Sequence, residues 1–166
     1  MKNAKGFTLI ELLIYMSIVS IMLTALIPFA WNIIEGGAKS ATEQEVFSNA
    51  RTMSERIKYE IRNATAVNSI SATQISLATP YSFTNPTIIS STSGNLTIQQ
   101  GAAPAAALNS SNTNLSNLAF TNFTSADNKT KNIQFIFTLK ASSSATTRQE
   151  FNESTTIESD AEVRSN

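Results

Sequence analysis

Glu11 is the residue whose chemistry stands out first. It lies in the run Phe7-Thr8-Leu9-Ile10-Glu11-Leu12-Leu13-Ile14-Tyr15-Met16, and between Phe7 and Ile27 it is the one side chain expected to carry a charge. A carboxylate can move a proton, hold a metal or pair with a cation. The first two tasks need companions, and the chain contains neither histidine nor cysteine. That removes the commonest general base and the commonest transition-metal ligand, and with them most hydrolase and metalloenzyme chemistry. Neither enzymatic activity nor a cofactor or metal is expected.

Pairing remains. Gly6 is small and conformationally permissive, and it sits where a polar opening containing Lys2 and Lys5 meets the apolar run. A cut after Gly6 would leave Phe7 with a free, positive α-amine. An ammonium about 4 Å from the Glu11 carboxylate would attract it by roughly 4 kcal/mol at an effective dielectric near 20. An acid at the centre of a membrane helix costs roughly 2.5–3.5 kcal/mol, and less nearer the surface, so the pair would offset that cost. In an array of helices the amine could belong to a neighbour, and the pair would then set register. The other reading places Glu11 at the headgroup level with no partner, and spacing alone leaves both open. Cleavage after Ala25, the position an ordinary secretory signal would suggest, is poorly marked, because larger residues follow it.

The element that must carry Glu11 is a helix. The stretch from Phe7 to Ile27 would span roughly 31 Å at about 1.5 Å per residue, against a bilayer core of about 30 Å. Lys2 and Lys5 favour a cytoplasmic N-terminus. Pro28 cannot donate its backbone N–H and is expected to kink or locally open the helix. Gly36-Gly37 is a second weak point. Beyond it Val46, Ala50, Met53, Ile57, Ile61 and Ala64 recur every three or four positions, forming one apolar stripe. Arg51 with Glu55 and Arg56 with Glu60 are spaced for ion pairs on the more polar faces.

The junction Lys5-Gly6-Phe7-Thr8-Leu9-Ile10-Glu11-Leu12-Leu13 resembles the leader junction of type IV prepilins and of the pseudopilins of type II secretion. The resemblance covers about the first thirty residues. It implies cleavage after Gly6 by a prepilin peptidase, N-methylation of Phe7, and a role for Glu11 in polymerisation. Pro28 falls where many such proteins place a helix-kinking proline. The implied partners are prepilin peptidase, other pilin or pseudopilin subunits, an inner-membrane assembly platform and membrane lipid. The implied location is the cytoplasmic membrane, crossed once with the N-terminus inside and the head outside, and then a pilus or pseudopilus filament.

From about Thr65 short alternating runs replace the helical period. Ile75 and Leu77 alternate with polar residues, and Thr87–Ser90 and Leu96–Gln99 flank a turn at Ser93-Gly94-Asn95. Leu115, Leu118, Phe120 and Phe123 mark a further strand region. Ile133, Phe135, Phe137 and Leu139 alternate strictly and mark the clearest strand. Gly101–Ala107 and Ser142–Thr147 are expected to be exposed loops, and the last dozen residues an edge strand or a frayed end. The expected fold is α+β: a leader at 1–6, a long helix over 7–64 with its transmembrane half at 7–30, and a β-rich head over 65–166 whose antiparallel sheet covers the apolar stripe. The order of elements is similar to the J-type minor pseudopilins and related minor pilins.

The head offers little for ligands. Its cations Lys129, Lys131, Lys140, Arg148 and Arg164 are outnumbered by Asp127, Glu150, Glu153, Glu158, Asp160 and Glu162, so strong nucleic-acid binding is not expected. Glu158-Ser159-Asp160 is a weak calcium candidate that reads better as a solvated charged edge. The expected function is a structural, minor filament subunit of a type IV pilus or type II secretion pseudopilus. The alternatives are a DNA-uptake (competence) or adhesive minor pilin with a ligand-binding head, and a single-pass anchored protein that never polymerises.

Overall fold

The computed structural model describes residues 6–125, 130–142 and 152–164. Lys2, Lys5, Asp127, Lys129, Arg148, Glu150 and most of the Ser142–Thr147 loop therefore lie outside the described residues. The chain forms two compact units, residues 1–38 and 39–166. One helix, α1 (Leu9–Asn63), contributes to both. It continues through Pro28 and Gly36-Gly37 without interruption.

In the first unit the large side chains of α1 are exposed, from Leu9 to Ile34. Its hydroxyls are satisfied internally. Ser17 Oγ donates to the Leu13 carbonyl, Ser20 Oγ to that of Met16 and Thr24 Oγ1 to that of Ser20, each at 2.8 Å. A polar group that bonds the preceding turn can enter an apolar solvent without an unmet hydrogen bond. The segment is long and apolar enough to cross a membrane.

The second unit joins the rest of α1 to eight strands. Strands β1 (Ala66–Ser71), β2 (Gln74–Ala78), β3 (Thr87–Thr92), β4 (Asn95–Gln100) and β5 (Ala106–Ala107) form one antiparallel sheet in sequence order. Strands β6 (Thr113–Asn122), β7 (Asn132–Ala141) and β8 (Ser154–Glu162) form a second. The head thus holds two sheets where the strand pattern suggested one. The division falls at β6, whose outer edge meets hairpin tips instead of another strand. Phe120 N–H donates to the Ala72 carbonyl at 3.0 Å, and Leu115 N–H to that of Gly94 at 2.7 Å.

All six stripe residues of the helical segment are buried. They share one core with Ile75, Leu77, Ile89 and Leu96 from the first sheet and Ile133, Phe135, Phe137 and Leu139 from the second. Ser93 and Gly94 close the β3–β4 hairpin with φ of 50° and 77°, a two-residue turn suited to the strand twist. A Cβ on Gly94 would run into the Asn114 amide, so glycine is needed here for space as well as for φ. In β6 the buried residues Leu115, Leu118 and Phe120 do not keep a period of two. A bulge between Ser116 and Ala119, with Asn117 at φ 54°, absorbs the extra residue. Phe123 falls just past the strand and is exposed.

Polar contacts fasten the helix to both neighbouring loops and sheets. Buried Asn109 accepts from Leu96 N–H at 2.9 Å and donates to Asn95 Oδ1 and to the Thr113 carbonyl. The adjoining segment is gripped by α1: Ser110 N–H donates to Asn49 Oδ1, and Ser110 Oγ and Asn112 Nδ2 both donate to Glu45 Oε1.

Glu60 differs from the sequence expectation. It is paired with Arg56 as its spacing predicts, at 2.7 Å, but it is only 4 % exposed. Residues 57, 60, 61 and 64 lie three and four apart, so Glu60 borders the apolar stripe, and Gln100 Nε2 reaches it from β4 at 3.3 Å. Burial pushes the Glu60 carboxyl above its ordinary 4.5, against the charge and hydrogen bond of Arg56 and the hydrogen bond from Gln100. The folded state therefore holds this proton more tightly than the unfolded chain does. Its contribution to stability is present below pH 4.5 and is lost as pH rises through the raised value. Glu60→Gln should flatten the pH dependence of thermal unfolding above that point, and a slope equal to that of the parent chain would show that Glu60 is not its source.

Candidate functional site

Gly6, Phe7 and Thr8 precede α1 in a non-helical stretch and are exposed, Phe7 at 77 %. Phe7 touches the Tyr15 ring edge-on, with centroids 6.2 Å apart. A Cβ built on Gly6 would meet nothing within 4 Å. The fold of this chain leaves room for a side chain there.

Helix α1 begins with a reciprocal cap. Thr8 is the N-cap residue: its carbonyl accepts from Leu12 N–H at 3.2 Å and its Oγ1 from Glu11 N–H at 3.3 Å. Glu11 reaches back, and its Oε2 accepts from both Thr8 N–H and Thr8 Oγ1 at 3.4 Å. Two of the orphan donors at a helix start are met in this way. The carboxylate also lies in the first turn, where the helix dipole favours negative charge. So Glu11 is not left without a partner in the uncut chain; it caps its own helix.

Thr8 is the functional residue that the sequence reading passed over. Its signal was present, as Thr8-Leu9-Ile10-Glu11 is a Ser/Thr-x-x-Glu/Gln capping pattern standing before an apolar run. Of the other sequence-derived candidates, Pro28 lies inside α1, twenty or so residues from this cap. Gly6, Phe7 and Glu11 fall together at its start.

The head supplies no comparable cluster. Among the described residues no group of three or more Asp and Glu is arranged to hold a metal ion. Glu158 accepts from Gln134 Nε2 at 2.8 Å and Asp160 from Asn132 Nδ2 at 3.0 Å, so both are engaged by amides across the β7–β8 pair. A cavity of about 510 Å³ lies against the helix face that carries Ser40, Glu43 and Phe47 and the start of β8 at Glu153 to Thr155. Glu153 there is ion-paired to Lys39 at 3.3 Å.

Residues 1–27 match the family model described as the prokaryotic N-terminal methylation motif. This is a prepilin-type N-terminus. It makes the chain type IV pilin-like, of the class that prepilin peptidase processes, and the exposed apolar segment of α1 fits membrane anchoring. The match ends before the head. No curated protein and no solved structure matches the chain.

The cap has a measurable consequence. Thr8→Ala in the uncut chain should destabilise the start of α1 by about 0.5–2 kcal/mol. Amide exchange at Leu9 to Leu12 in micelles should then rise several-fold while exchange near Ile57 is unchanged; equal protection in both chains would show that the cap does not hold the first turn.

Proposed function

We propose that this chain is a structural subunit, and a minor one, of a type IV pilus or a type II secretion pseudopilus. Prepilin peptidase cuts it after Gly6 and methylates Phe7, and an inner-membrane platform then draws it from the lipid into a filament. The observation that carries this reading is the match of residues 1–27 to the methylation motif, with Glu11 placed at the first turn of the helix it enters. The open space around Gly6 adds support. A glycine that its own fold does not require is explained when a peptidase must close around it.

Glu11 changes partners in this scheme. Before the cut, Phe7 has an ordinary amide nitrogen and the carboxylate caps the helix. Cleavage creates an ammonium one residue upstream of Thr8, whose N–H already lies 3.4 Å from Glu11 Oε2. At about 4 Å the new charge would attract the carboxylate by roughly 4 kcal/mol at an effective dielectric near 20, more than the one or two neutral hydrogen bonds of the cap. An amine from an adjacent copy could take the same position, which gives Glu11 its role in assembly. The chain spans the membrane once, with Lys2 and Lys5 on the cytoplasmic side and the head outside.

Intact-mass measurement of the membrane-extracted protein should give a chain beginning at Phe7 with one added methyl group. A mass that retains Met1, or one that corresponds to a cut after Ala25, would refute processing at Gly6. In a host that carries the assembly machinery, Glu11→Ala should reduce filaments at least tenfold and leave membrane insertion and leader removal intact. Normal filaments from that variant would remove Glu11 from assembly.

A further inference from the structure

The unit 39–166 carries unbalanced charge of opposite sign on two separate surfaces. The first is the outer face of α1. Arg51, Glu55, Lys58 and Arg62 recur at four, three and four residues and share that face. Glu55 and Lys58 neutralise each other at 3.3 Å. Arg51 and Arg62 are exposed and make no ion pair among the described residues. Eleven residues are close to three helical turns, so the two guanidinium stems stand about 16 Å apart on one side.

The second surface is the outer face of β8. Residues directly opposite in an antiparallel pair share a face. Ala161 pairs with Ile133 and Ile157 with Phe137, and these look into the core. Glu158, Asp160 and Glu162 pair with Ile136, Gln134 and Asn132 and look away from it. All three acids are exposed and none is ion-paired among the described residues. The amides of Gln134 and Asn132 fix the first two in place without cancelling their charge. Glu158 and Glu162 are four residues apart on the strand, about 13 Å. Lys140 lies toward the other end of β7, opposite Ser154, and Arg164 follows the strand, so the row stays net negative.

We propose that these two surfaces bind each other between copies of this chain: Arg51 and Arg62 of one copy lie against Glu158, Asp160 and Glu162 of the next. The spacings differ by only a few ångströms, which arginine side chains span. A copy does not satisfy itself, because its acidic row projects from the sheet face turned away from the core that its helix covers. The contact is therefore heterologous. Such contacts repeat without closing when the rotation between copies does not complete a ring, and they build open helical arrays. Pre-fixed carboxylates lower the ordering cost of binding, and the opposed potentials favour this orientation over helix against helix or sheet against sheet. The inference rests on the filament reading above and names the partner of the head within it.

Charge exchange tests it in the full chain with its assembly machinery. E158K/E162K should cut filament yield at least tenfold, as should R51E/R62E, while leader removal and the membrane-held amount stay unchanged. The chain with all four changes should recover most of the yield. Unaltered yield in either pair, or failure of the fourfold chain to recover while its head resists protease like the parent, would overturn the contact. If E158K/E162K fails to accumulate, R51E/R62E and its rescue by the fourfold chain decide. A parent chain that is processed at Phe7 yet forms no filament would overturn the filament reading as well, and so is told apart from loss of this contact alone.

Discussion

The burial of one helical stripe organises the head. Val46, Ala50, Met53, Ile57 and Ile61 can leave water only if strands cover them, and two sheets from distant parts of the chain do so around one core. Fully burying a side chain of the Val, Ile or Met size contributes about 1.5–3 kcal/mol, and the chain has no disulfide to add to this. Asn49 and Glu45 then position the loop that begins β6, and Gln100 ties β4 to the helix end. The same helix carries a different solvent requirement in residues 9–34, where the large side chains find no cover within their own unit. One continuous hydrogen-bonded backbone thus serves lipid and protein core, and only its side chains change.

Much of this was legible in the residues. The helical stripe is a strong signal because every one of its positions is apolar at three- or four-residue spacing, and β7 is equally clear because Ile133, Phe135, Phe137 and Leu139 alternate without a break. The turn at Ser93-Gly94 was readable for its glycine. Three features were not, each for a physical reason. The bulge in β6 hides in the three-residue step from Leu115 to Leu118, which fits neither period. The division into two sheets depends on where hairpin tips land, a long-range matter that local pattern does not carry. Glu60 reads as a surface ion pair because charge predicts exposure, whereas its place beside Ile57 and Ile61 is set by helix geometry.

At the N-terminus the residues that matter were identified by the spacing between Gly6, Phe7 and Glu11, yet their mechanics needed coordinates. A carboxylate in an apolar run invites the question of what pairs with it. The cap by Thr8 answers that question for the uncut chain, and it does so with groups three residues away. The acid is thereby held at a helix start, close to where a new amine would appear, in place of being an exposed charge awaiting a partner.

The two margins of the second sheet are handled differently. The β6 margin is occupied by the hairpin turns at Ala72 and Gly94, while β8 borders only β7 and carries its row of carboxylates. A bare strand margin is a template for pairing with any other strand. Proteins tethered to a membrane are confined to a thin layer and meet one another often, so such a margin would be a standing route to irregular clumps. Here two β8 margins approaching each other bring like charges together. The acids therefore give the tethered head colloidal protection while it waits in the layer, independently of any ordered contact it later makes.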